Sequence, residues 1–384
     1  MLKQYLLTPG PTEVPLEVSL AGVRPIIHHR TPEFRRLFAE IAEGLKIIFQ
    51  TRKDCLVFAS SGTGGMEAAV VNLLSPGDTV LVVRGGKFGE RWAEICQAYG
   101  VEVMPIDVPY GEAVDPLVIE NELKHDSFFK IKAVFTTLAE TSTGVLTDIN
   151  AIGRIVRNYK AVLVVDAISG LGSCELRMDS WHVDVCVAGS QKGLMLPPGL
   201  AFAAVSDKAW RLVGESKLPK YYWSFEKAKK ALSDNQTAYT PAISLLMSLK
   251  ESLSMIRLEG WDKVLKRHES LASACRAGIT ALGLELFAKR PADSVTAVNV
   301  PDGIDGERLI RRAKEVYGVS LAGGQGELKG KIFRISHLGY TDTFDVIIAL
   351  ACLEMVLKDL GMHGIEIGAG VRAAEQVLRK GRSS

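Results

Sequence analysis

The sequence predicts an α/β protein: a mainly parallel sheet covered by helices on both faces, followed by a smaller α+β domain. Three observations carry this. From about Thr31 to Gly189, short β-branched runs alternate with stretches of helical periodicity, the signature of repeated βα units. Several of the runs are apolar throughout, as strands buried on both faces are. Beyond about Thr240 strands thin out and the helical stretches lengthen. With 384 residues the chain is long enough for two domains and a sizeable core. The boundaries expected are 1–258 for an N-terminal arm with the large domain and 259–384 for the small one.

Element by element, Pro9, Pro11 and Pro15 keep the opening residues extended, as an arm that packs on something else. Residues 32–49 read as a helix, with Phe34, Leu37, Phe38, Ile41, Leu45 and Ile48 on one face. Residues 55–59, 79–83, 101–106, 131–137, 161–166 and 183–189 read as strands. The helices between them fall at 65–74, 88–99 and 149–158. In the second part, helices are expected at 243–258, 261–282, 306–317 and 343–360. Strands are expected at 294–300 and 331–336, and a short terminal helix after Gly368.

The net charge of +2 offers no basic stripe for nucleic acid and no polybasic segment for a membrane surface. No apolar run is long enough to span a bilayer, and the N-terminus does not read as a signal peptide. The six cysteines are scattered with no C-x-x-C pair, which fits reduced thiols and a cytoplasmic location. Adjacent His28 and His29 lack metal-ligand spacing, so no metal site is expected.

The chemistry concentrates at strand ends. Ala161–Asp166 finishes on a carboxylate, and the next run delivers Lys192 in Gly189-Ser-Gln-Lys-Gly193. An acid and an amine at neighbouring strand ends are what a pyridoxal phosphate enzyme needs: a Schiff-base lysine, and an aspartate to hold the pyridine nitrogen protonated. Ser60-Ser-Gly-Thr-Gly-Gly65 follows a strand and opens a helix, so it reads as a phosphate cradle or a plain Gly-rich turn. Phe88, flanked by glycines, is either a ring to stack on a flat heterocycle or a helix-start core residue. The hydroxyl cluster 137–144 either meets a phenolic oxygen or is a turn. Arg334, within an apolar strand, needs a partner: a substrate α-carboxylate, or a structural Asp or Glu. His337 reads as a satisfied structural group.

These residues, in this order, resemble the class V, fold-type I, pyridoxal phosphate aminotransferases, in the alanine–glyoxylate and serine–pyruvate branch. The phrases Pro9-Gly-Pro-Thr12, His29-Arg-Thr-Pro-Glu-Phe34, Ser61-Gly-Thr63, Phe88-Gly-Glu-Arg91, Glu140-Thr-Ser-Thr-Gly144, Gly189-Ser-Gln-Lys-Gly193 and Lys331-Ile-Phe-Arg-Ile335 carry the likeness. Lys217-Leu-Pro-Lys-Tyr-Tyr222, Leu321-Ala-Gly-Gly-Gln325 and Ile367-Gly-Ala-Gly-Val371 resemble the aminotransferase-like small subunits of soluble hydrogenases. Nothing here has the paired cysteines that an iron–sulfur cluster needs.

The resemblance implies pyridoxal 5′-phosphate as cofactor, with Lys192 and Asp166 catalytic. It implies Phe88 against the ring, Thr141 near the phenolic oxygen, and Ser61, Gly62, Thr63 and Gln191 on the phosphate. Thr240 would reach the phosphate of a neighbouring subunit in a homodimer with shared active sites. Thr237 stands where some relatives have a Tyr. Arg334, with Gly10, would bind substrate. The activity implied is ping-pong transamination between alanine or serine and glyoxylate or pyruvate. Aspartate or 2-aminoethylphosphonate as donor, or a non-catalytic partner subunit, are the alternatives. A cysteine desulfurase would carry His at Gln191 and a Cys within 321–330, and this chain has neither.

Overall fold

The computed structural model describes residues 2–128 and 130–380. Its frame is a seven-stranded sheet in the order Cys55–Ala59, Leu200–Val205, Val185–Gly189, Val162–Asp166, Ile131–Thr137, Thr79–Arg84, Glu102–Asp107. All neighbours run parallel except Leu200–Val205, which is antiparallel to both of its partners. Alternate residues of a strand point to opposite faces, and both faces are covered. Leu163 and Val165 join Leu81 and Val83 in one core cluster. Val162 and Val164 join Val80 and Val82 in another. That double burial is why these runs are apolar at every position.

Helix Pro32–Phe49 covers the first face. Thr31 caps it, accepting from the Phe34 N–H, proline opens it, and Gln50 in the left-handed region closes it. All six residues expected on its inner face are buried. Helices Gly62–Leu73 and Lys87–Ala98 pack on the second face. The first begins three residues earlier than its periodicity indicated, because Ser61 and the glycines themselves form its opening turn.

The arm behaves as expected over its first part. Tyr5–Leu6 pairs in parallel with Val319–Ser320, and Leu7 is buried in the C-terminal core cluster. Residues 16–22 depart from the expectation: directly after Pro15 the chain turns helical and packs on helix Ile243–Glu259. Strand Leu200–Val205 and helices Pro116–His125, Asp207–Glu215 and Phe225–Leu232 are further elements that the periodicity did not disclose.

The C-terminal part is a three-stranded antiparallel sheet, Val295–Asn299, Ile332–Ser336 and Ala322–Gly323 in that order, packed with helices Gly306–Tyr317 and Thr343–Asp359. The terminal helix spans Ala369–Lys380, and residues beyond it lie outside those described. We propose that the division between domains falls at 258/259. Helix Ile243–Glu259 buries Leu246, Leu249, Leu253 and Ile256 in the first cluster, whereas Trp261–Ala281 buries Leu271, Ala274, Cys275 and Ile279 in the C-terminal one. Among the described residues no helix is long and apolar enough to cross a membrane.

Candidate active site

Parallel strands direct their carboxyl ends, and the loops that follow, to one edge of the sheet, where α/β folds gather their ligand sites. Asp166 ends its strand there, in register with Thr137 on one side and Val187 on the other. It is 2% exposed, and its Oδ1 accepts from the Ile168 N–H at 2.8 Å. Burial pushes its pKa up to about 7; the Ile168 bond opposes this, the nearby Glu140 charge adds to it, and Lys192 and Arg91 oppose it.

Lys192 follows the next strand and is also buried. Its Nζ donates to the Pro9 carbonyl of the arm, and its own carbonyl accepts from Thr12 Oγ1 at 3.3 Å. Burial brings the amine down to about 8, helped by the positive charges of Arg334 and Arg91 and resisted by Asp166. Gly10, at φ +118°, makes room for it: a Cβ there would run into the lysine's Nζ, Cε and Cδ.

Gln191 and Gly62 lie close together, on either side of Gly189. A Cβ built on Gly189 would lie 3.2 Å from Gln191 Oε1 and 3.5 Å from Gly62 Cα. Ser61 sits at the N-cap of helix Gly62–Leu73 without a side-chain cap, at the positive end of the helix dipole, and the Gly64 N–H turns back to the Ser61 carbonyl at 3.0 Å. Gln191 Oε1 is buried and has no partner, and neither has Thr137 Oγ1 beside Asp166. Thr63 Oγ1 accepts from Arg91 Nη1 at 3.2 Å, and the Arg91 guanidinium lies 4.8 Å from the Phe88 ring centre. Phe88 is half-buried and belongs to none of the described core clusters.

Thr141 donates to Ser169 Oγ, and its carbonyl accepts from Arg334 Nη1 at 2.8 Å. Arg334 is 4% exposed. Its Nε and Nη2 donate to the Gly323 carbonyl at 3.1 and 2.7 Å. Its partners are therefore carbonyls, and no ion pair to a structural Asp or Glu is present among the described residues. A guanidinium has five N–H donors; three are used, leaving one on each terminal nitrogen to meet a carboxylate. Burial lowers its pKa to about 10, with Glu140 resisting.

One expected residue stands apart. Thr240 is exposed and lines a cavity with Tyr222, Tyr239 and Phe58, among side chains of this chain that include neither Lys192 nor Asp166. Two residues given no role by the sequence stand among these groups: buried Glu140, whose charge Asp166 and Arg334 feel, and Arg91, which donates to Thr63. Both lie in phrases that carried the family likeness, which was the available signal. His337 is held by Thr296 and the Asp293 carbonyl, and burial drives it down to about 3. All six cysteines are buried and unpaired, and burial lifts the Cys174 thiol to about 12, so no activated sulfur is at hand. No cluster of His, Cys, Asp and Glu among the described residues could hold a metal ion.

The donor set fits pyridoxal 5′-phosphate. A buried carboxylate suits a pyridine N–H, a buried amine suits its carbonyl carbon, and an uncapped helix start suits a phosphate.

Comparison with known proteins agrees. The model of the family "Aminotransferase class-V" matches residues 5–332. The chain is 43% identical to the soluble hydrogenase 42 kDa subunit of Anabaena cylindrica, covering 98% of this chain and 99% of that one. It is 40% identical to the L-aspartate–glyoxylate aminotransferase of Paracoccus denitrificans, over 98% and 96% of the two chains. It is also 40% identical to the serine–glyoxylate aminotransferase of Hyphomicrobium methylovorum, over 98% and 95%. The crystal structure of ureidoglycine–glyoxylate aminotransferase from Bacillus subtilis superposes with a TM-score of 0.94 at 31% identity, covering 99% of each chain.

Proposed function

From membership of the class-V aminotransferases, the family to which this chain belongs, we propose that it moves an amino group between alanine or serine and glyoxylate or pyruvate. The family works with pyridoxal 5′-phosphate, which supplies an electrophilic carbon and an electron sink when bound. Lys192, Asp166 and Arg334 divide the remaining work. Arg334 grips the α-carboxylate through its two open N–H groups and fixes which way the amino acid enters. Lys192 Nζ, with a depressed pKa and so partly neutral near pH 7, would hold the cofactor through its carbonyl carbon and serve as general base for the substrate Cα proton. Asp166 Oδ2, the oxygen not engaged by Ile168, would hold the proton on the ring nitrogen. With the cofactor bound, Phe88 would shield one ring face from water, Thr141 would stand near the phenolic oxygen, and Ser61, Gly62, Thr63 and Gln191 would hold the phosphate. Gly10 keeps the arm clear of the lysine.

The observation that carries the reading is Arg334: a buried cation partnered only by carbonyls, beside a buried lysine. Besides two histidines, Arg334 and Lys192 are the buried cations among the described residues, which supports a donor with one carboxylate and a small side chain. Aspartate is the second reading, favoured by Arg91: its guanidinium makes no ion pair among those found in the described residues, and it could meet a further carboxylate. Single-turnover reactions with alanine, serine, aspartate and 2-aminoethylphosphonate, the oxo acid released being named by mass, decide between them. Fastest release from alanine or serine is expected; preference for aspartate or the phosphonate contradicts the small-donor reading.

We also propose a cytoplasmic homodimer. Six buried, unpaired cysteines suit a reducing compartment. Exposed Leu16, Leu20, Val23 and Ile26 form an apolar run suited to burial in a second copy, and exposed Thr240 is then free to reach that copy's phosphate.

A further inference from the structure

Glu140 has no part in the chemistry above, yet it is a buried carboxylate, 5% exposed, close enough to Asp166 and Arg334 for both to feel its charge. Its two oxygens are occupied by hydrogen-bond donors. Oε2 accepts from the Phe88 and Gly89 N–H groups, both at 3.1 Å. Oε1 accepts from the Ser142 N–H at 3.1 Å and from Ser142 Oγ at 2.5 Å. Ser142 Oγ in turn accepts from the Lys87 N–H at 3.0 Å. The first three N–H groups of helix Lys87–Ala98 are therefore satisfied by a turn that follows another strand.

The helix has no cap of its own. Gly86 occupies the N-cap, where Ser, Thr, Asp or Asn would ordinarily serve. The close approach of the turn is the reason: a Cβ on Gly86 would fall 2.5 Å from Glu140 Cδ and 2.6 Å from Ser142 Oγ. A local cap is thus replaced by a buried carboxylate, a costly choice unless its hydrogen bonds are complete and its place at the helix N-terminus favourable, as both are here. Burial pushes the Glu140 pKa up, and its hydrogen bonds resist that rise. The same turn receives Arg334 at the Thr141 carbonyl and Ser169 at the Thr141 hydroxyl.

We propose that Glu140 is a positioning residue for the cofactor. By holding the N–H groups of Phe88 and Gly89, it fixes where the Phe88 ring stands, in one frame with the arginine that grips substrate. This rests on the reading that Phe88 faces the cofactor ring. A double-mutant cycle tests it on apo-protein: Phe88→Ala, Glu140→Gln and the pair, each titrated with pyridoxal 5′-phosphate, with visible circular dichroism of the bound cofactor recorded alongside. Glu140→Gln is expected to weaken cofactor binding roughly tenfold, the scale of losing a charge-assisted hydrogen bond, and to change the dichroic band. Phe88→Ala with Glu140→Gln should bind no worse than Phe88→Ala alone. Losses that multiply in the pair, or a Glu140→Gln protein that binds as wild type does, overturn the proposal. Should Glu140→Gln fail to fold, Ser142→Ala replaces it in the same cycle, with a smaller loss and the same non-additivity expected. Wild-type protein that takes up no cofactor overturns the functional reading and the proposal together.

Discussion

Lys192 gathers its reactivity from where it is buried. Burial disfavours its charged form, the positive charges of Arg334 and Arg91 add to that and the Asp166 charge resists it, so the balance brings the amine down to about 8. Against an ordinary lysine near 10.5, that gives roughly 300-fold more neutral amine at pH 7. The sign is testable. Only the neutral amine attacks a carbonyl, so uptake of pyridoxal phosphate by apo-protein should accelerate as pH rises from 7 to 9 and level off above. Stopped-flow absorbance at a series of pH values measures this. A rate that climbs without levelling to pH 10 or beyond would mean an unperturbed lysine.

At the scale of elements, the site depends on the arm as much as on the sheet. Pro9 reaches Lys192 from an arm whose Tyr5–Leu6 is paired with Val319–Ser320, and Gly10 lets the backbone pass. Gly10→Ala should therefore lower cofactor loading at least tenfold and destabilise the protein by about 1–3 kcal/mol, the usual cost of left-handed strain with a close contact. Cofactor titration and thermal unfolding report the two effects separately; an unaltered loading would show that the arm is not part of the site. The same elements explain what could be read in advance. Asp166 and Lys192 were legible because each follows a run buried on both faces, and such runs are hard to mistake. Strand Leu200–Val205 was not: Leu-Ala-Phe-Ala-Ala-Val has too many helix formers to declare itself, and it runs antiparallel to its neighbour after the Pro197-Pro-Gly199 loop. Helix Pro116–His125 has a clear start at Asp115 and Pro116 but buries only Ile119 and Leu123, too little for a period. Glu140 was legible as a residue and not as a role, since Gly89, whose N–H it holds, lies 51 positions away.

For the whole molecule, residues 16–26 present Leu16, Leu20, Val23 and Ile26 to solvent, each more than half exposed. Folded monomers rarely leave such a run uncovered. Sedimentation velocity should find a dimer, and Leu20→Asp with Val23→Asp should shift it toward monomer. If Thr240 completes the partner's phosphate site, cofactor affinity falls with that shift; a monomer holding cofactor as tightly as wild type would place Thr240 outside the site.

The central claim is that the buried amine at the strand end is the residue that bonds the cofactor. Apo-protein would be loaded with pyridoxal 5′-phosphate, reduced with borohydride, digested and mapped by mass. The account predicts one stable adduct, on Lys192, absent from a Lys192→Ala protein that keeps its fold and loses transamination. An adduct on another lysine, or turnover retained by Lys192→Ala at the wild-type rate, would contradict it.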